Sequence, residues 1–235
     1  MALTGAMISG CTRAPEGAPF NDPYEVQNRA MHDANVGLDK LLFRPASKAY
    51  GVIPKPVQQG VANFADNFDT PGMAVNSLLQ GDVENLVGHT FRFVINSTLG
   101  IGGLFDMAGA IGIKAKDTDF GQTLYVWGAR EGAFIELPVF GPSTERDAAG
   151  IIVDFALNPL GYVLPNRQSG LGTAAKFASR IGDRGRYSST FDSLLYESAD
   201  GYAQSRQIYL QNRRFDLGVV VPSDTVDLYE DPYAQ

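Results

Sequence analysis

One cysteine, two histidines and one tryptophan in 235 residues leave little from which to build a disulfide framework or a metal centre. A lone thiol forms no internal disulfide, and multi-Cys zinc sites are excluded with it. Charge is scarce too: 19% of residues are Asp, Glu, Lys or Arg, against about 25% in an ordinary soluble chain. What charge there is leans acidic, with 26 Asp and Glu against 19 Lys and Arg, a net charge of -7 and a pI near 4.8. That balance disfavours nucleic-acid binding by counterion release and adsorption to anionic lipid heads. No run of 18 apolar residues exists, so no simple transmembrane helix is expected. No internal repeat is evident either, which removes solenoids and propellers. Glycine, by contrast, is plentiful at 26 residues, when an average composition holds roughly 7%. The chain, 25.3 kDa, is long enough to bury a real core. Low charge with excess glycine, outside a disordered composition, points to a lipid environment.

The cysteine is informative by position. Ile8-Ser9-Gly10-Cys11 ends an uncharged, small and apolar run, the pattern of a bacterial lipoprotein signal in which cleavage before the Cys leaves it as the lipidated N-terminus. Residues 1–10 read as a truncated signal remnant, short of the basic stretch such signals carry, as when a start is placed too far downstream. Thr12-Arg-Ala-Pro-Glu-Gly-Ala-Pro19 follows, so residues 11–20 read as a tether. A buried free thiol is the plainer alternative for Cys11.

Helical period dominates the N-terminal half. Asn21-Asp22-Pro23 reads as a cap with proline at the first helical position, opening a helix to about Leu42 that closes before Pro45. After Pro54 and Pro56, the residues Val57, Val61, Phe64 and Phe68 make one apolar stripe, and Asp69-Thr70-Pro71-Gly72 reads as a break. Asp82 caps a helix carrying Val83, Leu86, Val87 and Val94. From Phe93 to Ile113 the apolar run is interrupted by Gly100, Gly102 and Gly103, predicting two short helices joined by a sharp bend. Thr123–Trp127 and Ala133–Leu137 read as β-rich arms around a Gly128–Gly132 turn, ended by Gly141-Pro142. Thr144 caps a helix interrupted at Asn158-Pro159. Leu171 to Phe215 reads as a solvated helical pattern, and residues 216–235 as an acidic tail.

Catalytic chemistry is thinly represented. His32 and His89 belong to no H-E-x-x-H motif, and no G-x-S-x-G elbow is present. Gly100-Ile-Gly102-Gly103 has Phe105 where a dinucleotide loop needs its third glycine, so bend glycines are the better reading. Neither a metal nor a cofactor is expected.

The ordered motifs resemble the MlaA/VacJ family of outer-membrane lipoproteins. They run from Asn21-Asp22-Pro23, Asn28-Arg29, Asn63-Phe64 and Asn67 through Val75-Asn76 and Leu78-Leu79-Gln80-Gly81-Asp82 to Arg92-Phe93 and Asn96-Ser97-Thr98. Gly100, Gly102-Gly103, Asp106, Asp119-Phe120-Gly121-Gln122, Trp127-Gly128, Leu137-Pro138, Gly141-Pro142-Ser143-Thr144 and Arg146-Asp147 continue them, so that the resemblance covers about Asn21 to Phe215, a single domain over residues 21–215. Ala133-Phe134 departs from the Pro-Tyr of the family pattern. The resemblance implies a mainly α fold, a ring-like arrangement of short interfacial amphipathic helices with one hairpin-like β-rich excursion. It also implies an amphipathic channel in the inner, periplasmic leaflet of the outer membrane. Phospholipids mislocalised to the outer leaflet would pass through it to a soluble periplasmic MlaC-like lipid carrier, with a trimeric outer-membrane porin as partner and no nucleic acid involved.

A phospholipid path needs polar lumen residues beside an apolar rim. Asn76, Gln80, Arg92 and Asn96 are candidates for the path, with capping and helix-to-helix hydrogen bonds as the alternative. Arg92 suits a head-group phosphate, and Asp106 is its competing partner. Trp127, Phe134 and Phe140 are candidates for a gating hairpin. The competing functions are a membrane-attached phospholipase, using Ser143 or Ser97 with His89, and a passive porin-associated lipoprotein.

Overall fold

Helix α1, Glu25–Leu38, opens the computed structural model, which describes residues 20–219 except Pro165. Cys11, the signal remnant and residues 220–235 of the acidic tail lie outside the described residues. The N-cap of α1 is Tyr24, not Asn21 or Asp22. The carboxylate of Asp22 is turned inward instead, where it accepts from Asn28 Nδ2 at 2.9 Å and also from Arg206 and Tyr202. Nor does the helical path stop before Pro45. A π-turn at Asp39–Phe43 leads directly into α2, Arg44–Tyr50. Proline there occupies the first turn of a new helix, where its missing N–H is tolerated.

α3, Lys55–Gln80, overrides the break expected at Asp69–Gly72 and runs straight through Pro71. Proline removes one ladder bond, and packing of α3 against neighbouring helices along its length outweighs that loss. Its end is sharply defined: Gly81 takes φ +73°, and the amides of Asp82 and Gly81 return to Ser77 and Leu78 carbonyls at 2.9 and 3.1 Å. Asp82 then caps α4, Val83–Thr98, accepting from Asn85 N at 3.0 Å. The expected bend follows. Gly102 and Gly103 adopt φ of +68° and +94°, and a Cβ on Gly100 would lie 2.2 Å from the Phe105 carbonyl oxygen. The short α5, Met107–Ala110, completes it.

The β-rich excursion is displaced from its expected place. Phe120–Val126 is a helix, α6, because Asp119 caps it through Gln122 N at 2.8 Å. The hairpin pairs β1, Phe134–Leu137, antiparallel with β2, Gly141–Thr144, so Gly141-Pro142 lies inside a strand. Its turn rests on positive φ at Val139 and Gly141. Thr144 caps α7, Glu145–Leu157, which ends at Asn158 as its sequence signals require. α8, Leu160–Val163, α9, Asn166–Arg186, α10, Ser188–Asp192, a second π-turn at Ser193–Glu197, and α11, Gly201–Asp216, follow.

Packing runs in a closed circuit. α3 meets α9, which leads through α10 and the second π-turn to α11; α11 meets β2, then α7, α6 and α3 again. α4 packs on α3 outside this circuit, and α1 and α2 join it at β1 and α9. The main apolar cluster is small: Phe134, Tyr202 and Leu210, with Phe20 and Tyr209 beside it.

Candidate functional site

Among the described residues, seven hydrophobic side chains are buried, from Ala65 to Leu210, against twenty polar or charged ones. Thirty-three large hydrophobic residues among those described are exposed. A water-soluble globule scatters exposed apolar residues but keeps its large ones mostly inside, and contiguous exposed patches mark interaction surfaces. Here polarity is reversed. On α4, Val83, Val87, Phe91 and Val94 recur at four, four and three residues and all face outward, and the bend adds Leu99, Ile101 and Phe105. On α7, Ile152 and Phe155 do the same. No described helix is long and apolar enough to cross a membrane.

The polar candidates lie on the inward side of these helices. Asn76 is 2% exposed; its Nδ2 donates to Asp154 at 2.8 Å and its Oδ1 accepts from Thr123 Oγ1 at 2.9 Å. Gln80 Nε2, one turn on, donates to Thr118 and Thr123 hydroxyls at 2.7 and 2.8 Å. Together they tie α3 to α6 and α7. Arg92 and Asn96 form a second group on α4. Arg92 donates to the Ile113 carbonyl at 2.8 Å and to both Asp106 oxygens at 3.1 Å, while Asn96 binds Asp106 Oδ1 and the Ala108 amide, both at 2.9 Å. Burial works to raise the Asp106 pKa, but the Gly109 amide, Asn96 and Arg92 outweigh it and hold it below the usual carboxylate range. These four residues therefore brace the glycine bend and the α3–α6 contact, with their main polar groups engaged by protein partners.

The three aromatic candidates do not share one segment. Trp127 follows α6 and donates through Nε1 to the Leu79 carbonyl at 3.0 Å. Phe134 is 2% exposed in β1 and meets Tyr202 edge-on at 5.9 Å. Phe140, at the hairpin turn, is 40% exposed and packs edge-on against Phe155 at 6.3 Å. Phe134 anchors the hairpin to the core; Phe140 marks its exposed tip.

Asp66 on α3 was not singled out by sequence. It is open to solvent, yet desolvation by its surroundings, with Asp117 and Asp69, pushes its carboxyl up to about 6. The serines named for catalysis are not hydrogen-bonded to His89. His89 Nε2 pairs with the Lys116 carbonyl at 3.1 Å, Ser97 accepts from Asn67 at 3.0 Å, and Ser143 sits at 3.4 Å from the Thr144 carbonyl. Burial lowers the His89 pKa. Among the described residues no group of three or more His, Cys, Asp and Glu is placed to hold a metal ion.

The C-terminal third departs most from its expected solvated character. Arg184 reaches Asp39 through two bonds of 2.9 Å and Asp192 at 2.6 Å. Arg206 meets Asp22, and Arg213 bridges Asp119 and Asp147 at 2.7 and 2.9 Å. Each arginine locks α9 or α11 to a segment far away in sequence. No period in the sequence marks them, since a helical arginine reads the same whether it faces water or a buried carboxylate; the low overall charge was the available hint.

A mainly helical fold with hydrogen-bonded polar groups inside and large apolar side chains outside, in which no described helix is long and apolar enough to cross a membrane, differs from the plan of a water-soluble globule. A family model described as MlaA lipoprotein matches residues 20–216. The chain belongs to that family. The Escherichia coli (strain K12) protein named intermembrane phospholipid transport system lipoprotein MlaA is 32% identical over 221 residues, 92% of this chain and 86% of its own. A Haemophilus influenzae protein of the same name is 32% identical over 223 residues, with the same coverage. An uncharacterized Rickettsia felis protein is 38% identical over 187 residues, 79% of this chain and 73% of its own. A solved structure described as "Structural basis for maintenance of bacterial outer membrane lipid asymmetry" aligns at a TM-score of 0.70 and 31% identity, covering 83% of this chain and 98% of that one.

Proposed function

We propose that this chain is the outer-membrane lipoprotein of an intermembrane phospholipid transport system, and that it acts as a passage for lipid rather than as an enzyme. The observation that carries this reading is the reversed polarity: among the described residues, thirty-three exposed large hydrophobics around an interior of hydrogen-bonded polar groups. Apolar side chains in contact with acyl chains gain the transfer free energy that a globular core supplies in water. Helices that cannot span stay within one leaflet, the periplasmic leaflet of the outer membrane. The closed packing circuit, with hydrogen-bonded polar groups on α3, α6 and α7, would supply the polar route for a head group. Lipid taken from the outer leaflet would leave to a soluble periplasmic carrier, and a trimeric porin would hold the protein beside the outer leaflet. Cys11 would carry the lipid anchor.

Surface labelling of outer-leaflet phospholipid in cells with and without the gene tests the reading. Deletion should raise surface phospholipid, and the intact gene should restore the normal level. An unchanged level on deletion would leave only a passive envelope lipoprotein.

A further inference from the structure

One cavity, of about 740 Å³, lies away from the polar groups described above. It opens between α2, the first turns of α3, the end of α9 and α10, and its walls carry Arg44, Lys48, Lys55, Arg184 and Arg186 with a single carboxylate, Asp192. In a chain of net charge -7 such a concentration of positive charge is anomalous. Pairing does not cancel it. Arg184 and Arg44 are balanced by Asp39 and Asp192, and Arg186 by Asp183 at 3.4 Å. Lys48 and Lys55 have no carboxylate within ion-pair distance among the described residues, so two positive charges face the cavity uncompensated.

Two further donors in this wall are orphaned. Arg44 Nε and Tyr50 Oη are buried without a hydrogen-bond partner, a state that folded proteins rarely leave unremedied. An oxygen drawn against the wall, with a small shift of either side chain, would pair them. The geometry is built rather than incidental. Gly182 of α9 lets the Tyr50 ring approach so closely that a Cβ there would lie 2.8 Å from Cε1, and Gln58 Nε2 clasps the α2–α3 turn through the Ile53 carbonyl at 2.6 Å.

The chain beside the cavity is apolar. Val52, Ile53 and Val57 lie between the lining residues Gly51, Lys55 and Gln58 and are 84%, 37% and 54% exposed. A cationic recess edged by exposed aliphatic residues matches an amphiphile with a phosphate head and acyl tails. It does not match a free anion, which would gain nothing from the rim, or an acidic protein surface, which would not fill a recess.

We infer that this cavity is a reception site for the phosphodiester of a phospholipid head group, with Lys48 and Lys55 as its charge-bearing ligands and the 52–57 segment taking the first part of the tails. The inference rests on the transport reading and names where on the protein a head group is held. Guanidinium and ammonium donors around a phosphate form charge-assisted hydrogen bonds, stronger in a recess than on an open face. The site favours lipids with net negative heads over zwitterionic ones.

Isothermal titration of the purified full chain in neutral detergent, with dihexanoyl phosphatidylglycerol below its micelle concentration, tests it. Dihexanoyl phosphatidylethanolamine and inorganic phosphate serve as comparison ligands. Phosphatidylglycerol should bind most tightly, and Lys48→Gln with Lys55→Gln should weaken it roughly 10- to 100-fold. Tyr50→Phe, which removes only the orphaned hydroxyl, should weaken it by a few fold, and added salt should reduce wild-type affinity more than that of the double variant. Equal affinity in wild type and a folded double variant would overturn the site. Inorganic phosphate binding as tightly as the lipid would also overturn it, as a free-anion site. In cells, loss of lipid clearance on gene deletion with full clearance by the double variant removes this inference and leaves the transport reading standing; unchanged clearance on deletion removes that reading itself.

Discussion

In the stretch from α3 to α5, exposed residues are Val57, Leu78, Val83, Phe91, Ile101 and Phe105, and the polar groups that face inward are neutral amides for the most part: Asn67, Asn76, Gln80 and Asn96. In the stretch from α9 to α11, the inward groups are arginines locked onto carboxylates of distant segments. Burying a guanidinium and a carboxylate costs several kcal/mol of desolvation, recovered only when geometry is tight. Amides cost less and can exchange partners. The two regions do different work: the ionic region fixes the closure of the circuit, and the amide region carries the outward apolar face and the glycine bend.

The largest effect should come from breaking the ionic region. Arg206→Met strands the buried carboxylate of Asp22 and should destabilise the fold by about 3–5 kcal/mol, read by urea unfolding in detergent. Gly100→Ala attacks the other region at a point where backbone carbonyls leave no room for a Cβ. Its Cβ would meet the Phe105 and Asn96 carbonyls at 2.2 and 2.4 Å, and overpacking of that kind costs about 1–3 kcal/mol, measurable as a fall in Tm. Asn76→Ala leaves Asp154 and Thr123 each short of a partner, at about 1–2 kcal/mol by the same melt.

A double change, Val87→Ser with Phe91→Ser, should alter stability in detergent by less than about 0.5 kcal/mol. It should nonetheless reduce partitioning into vesicles, because less exposed apolar surface remains on α4 to leave water for acyl chains. Cosedimentation with vesicles measures this. The smallest effect concerns pH. The Asp66 carboxyl is held up to about 6 from the ordinary carboxylate value of 3.8, so the folded state binds its proton more tightly than the unfolded chain. Stability from this group is therefore present at low pH and lost as pH rises from about 4 through about 6. Asp66→Asn should flatten that part of a Tm-against-pH curve and raise Tm at neutral pH.

Local signals were legible where one side chain decides the outcome. Asp82 and Thr144 cap the helices their sequence positions suggested, and Gly100, Gly102 and Gly103 make the bend. Signals that depend on long-range partners were not. Pro71 fails to break α3 because neighbouring helices hold both sides of it. Thr123–Trp127, rich in β-formers, folds as helix because Asp119 caps it and Gln80 and Asn76 bind Thr123. Asp22 reads as a cap until Arg206, 184 residues away, claims its carboxylate. Asn76, Gln80, Arg92 and Asn96 stand out in the sequence as polar residues in apolar context, while their bonds to other helices and turns, and the cationic cavity assembled from α2, α3, α9 and α10, appear only once the chain is folded.

The reversed polarity itself is tested most directly by placing the only tryptophan on the outward face of α4. In a Trp127→Phe, Phe91→Trp chain reconstituted with lipids brominated at successive acyl positions, indole fluorescence should be quenched most by bromines near the glycerol end, as expected of a helix lying in one leaflet. Fluorescence indifferent to brominated lipid would contradict the account, because the exposed apolar face of α4 would then be turned toward something other than the membrane.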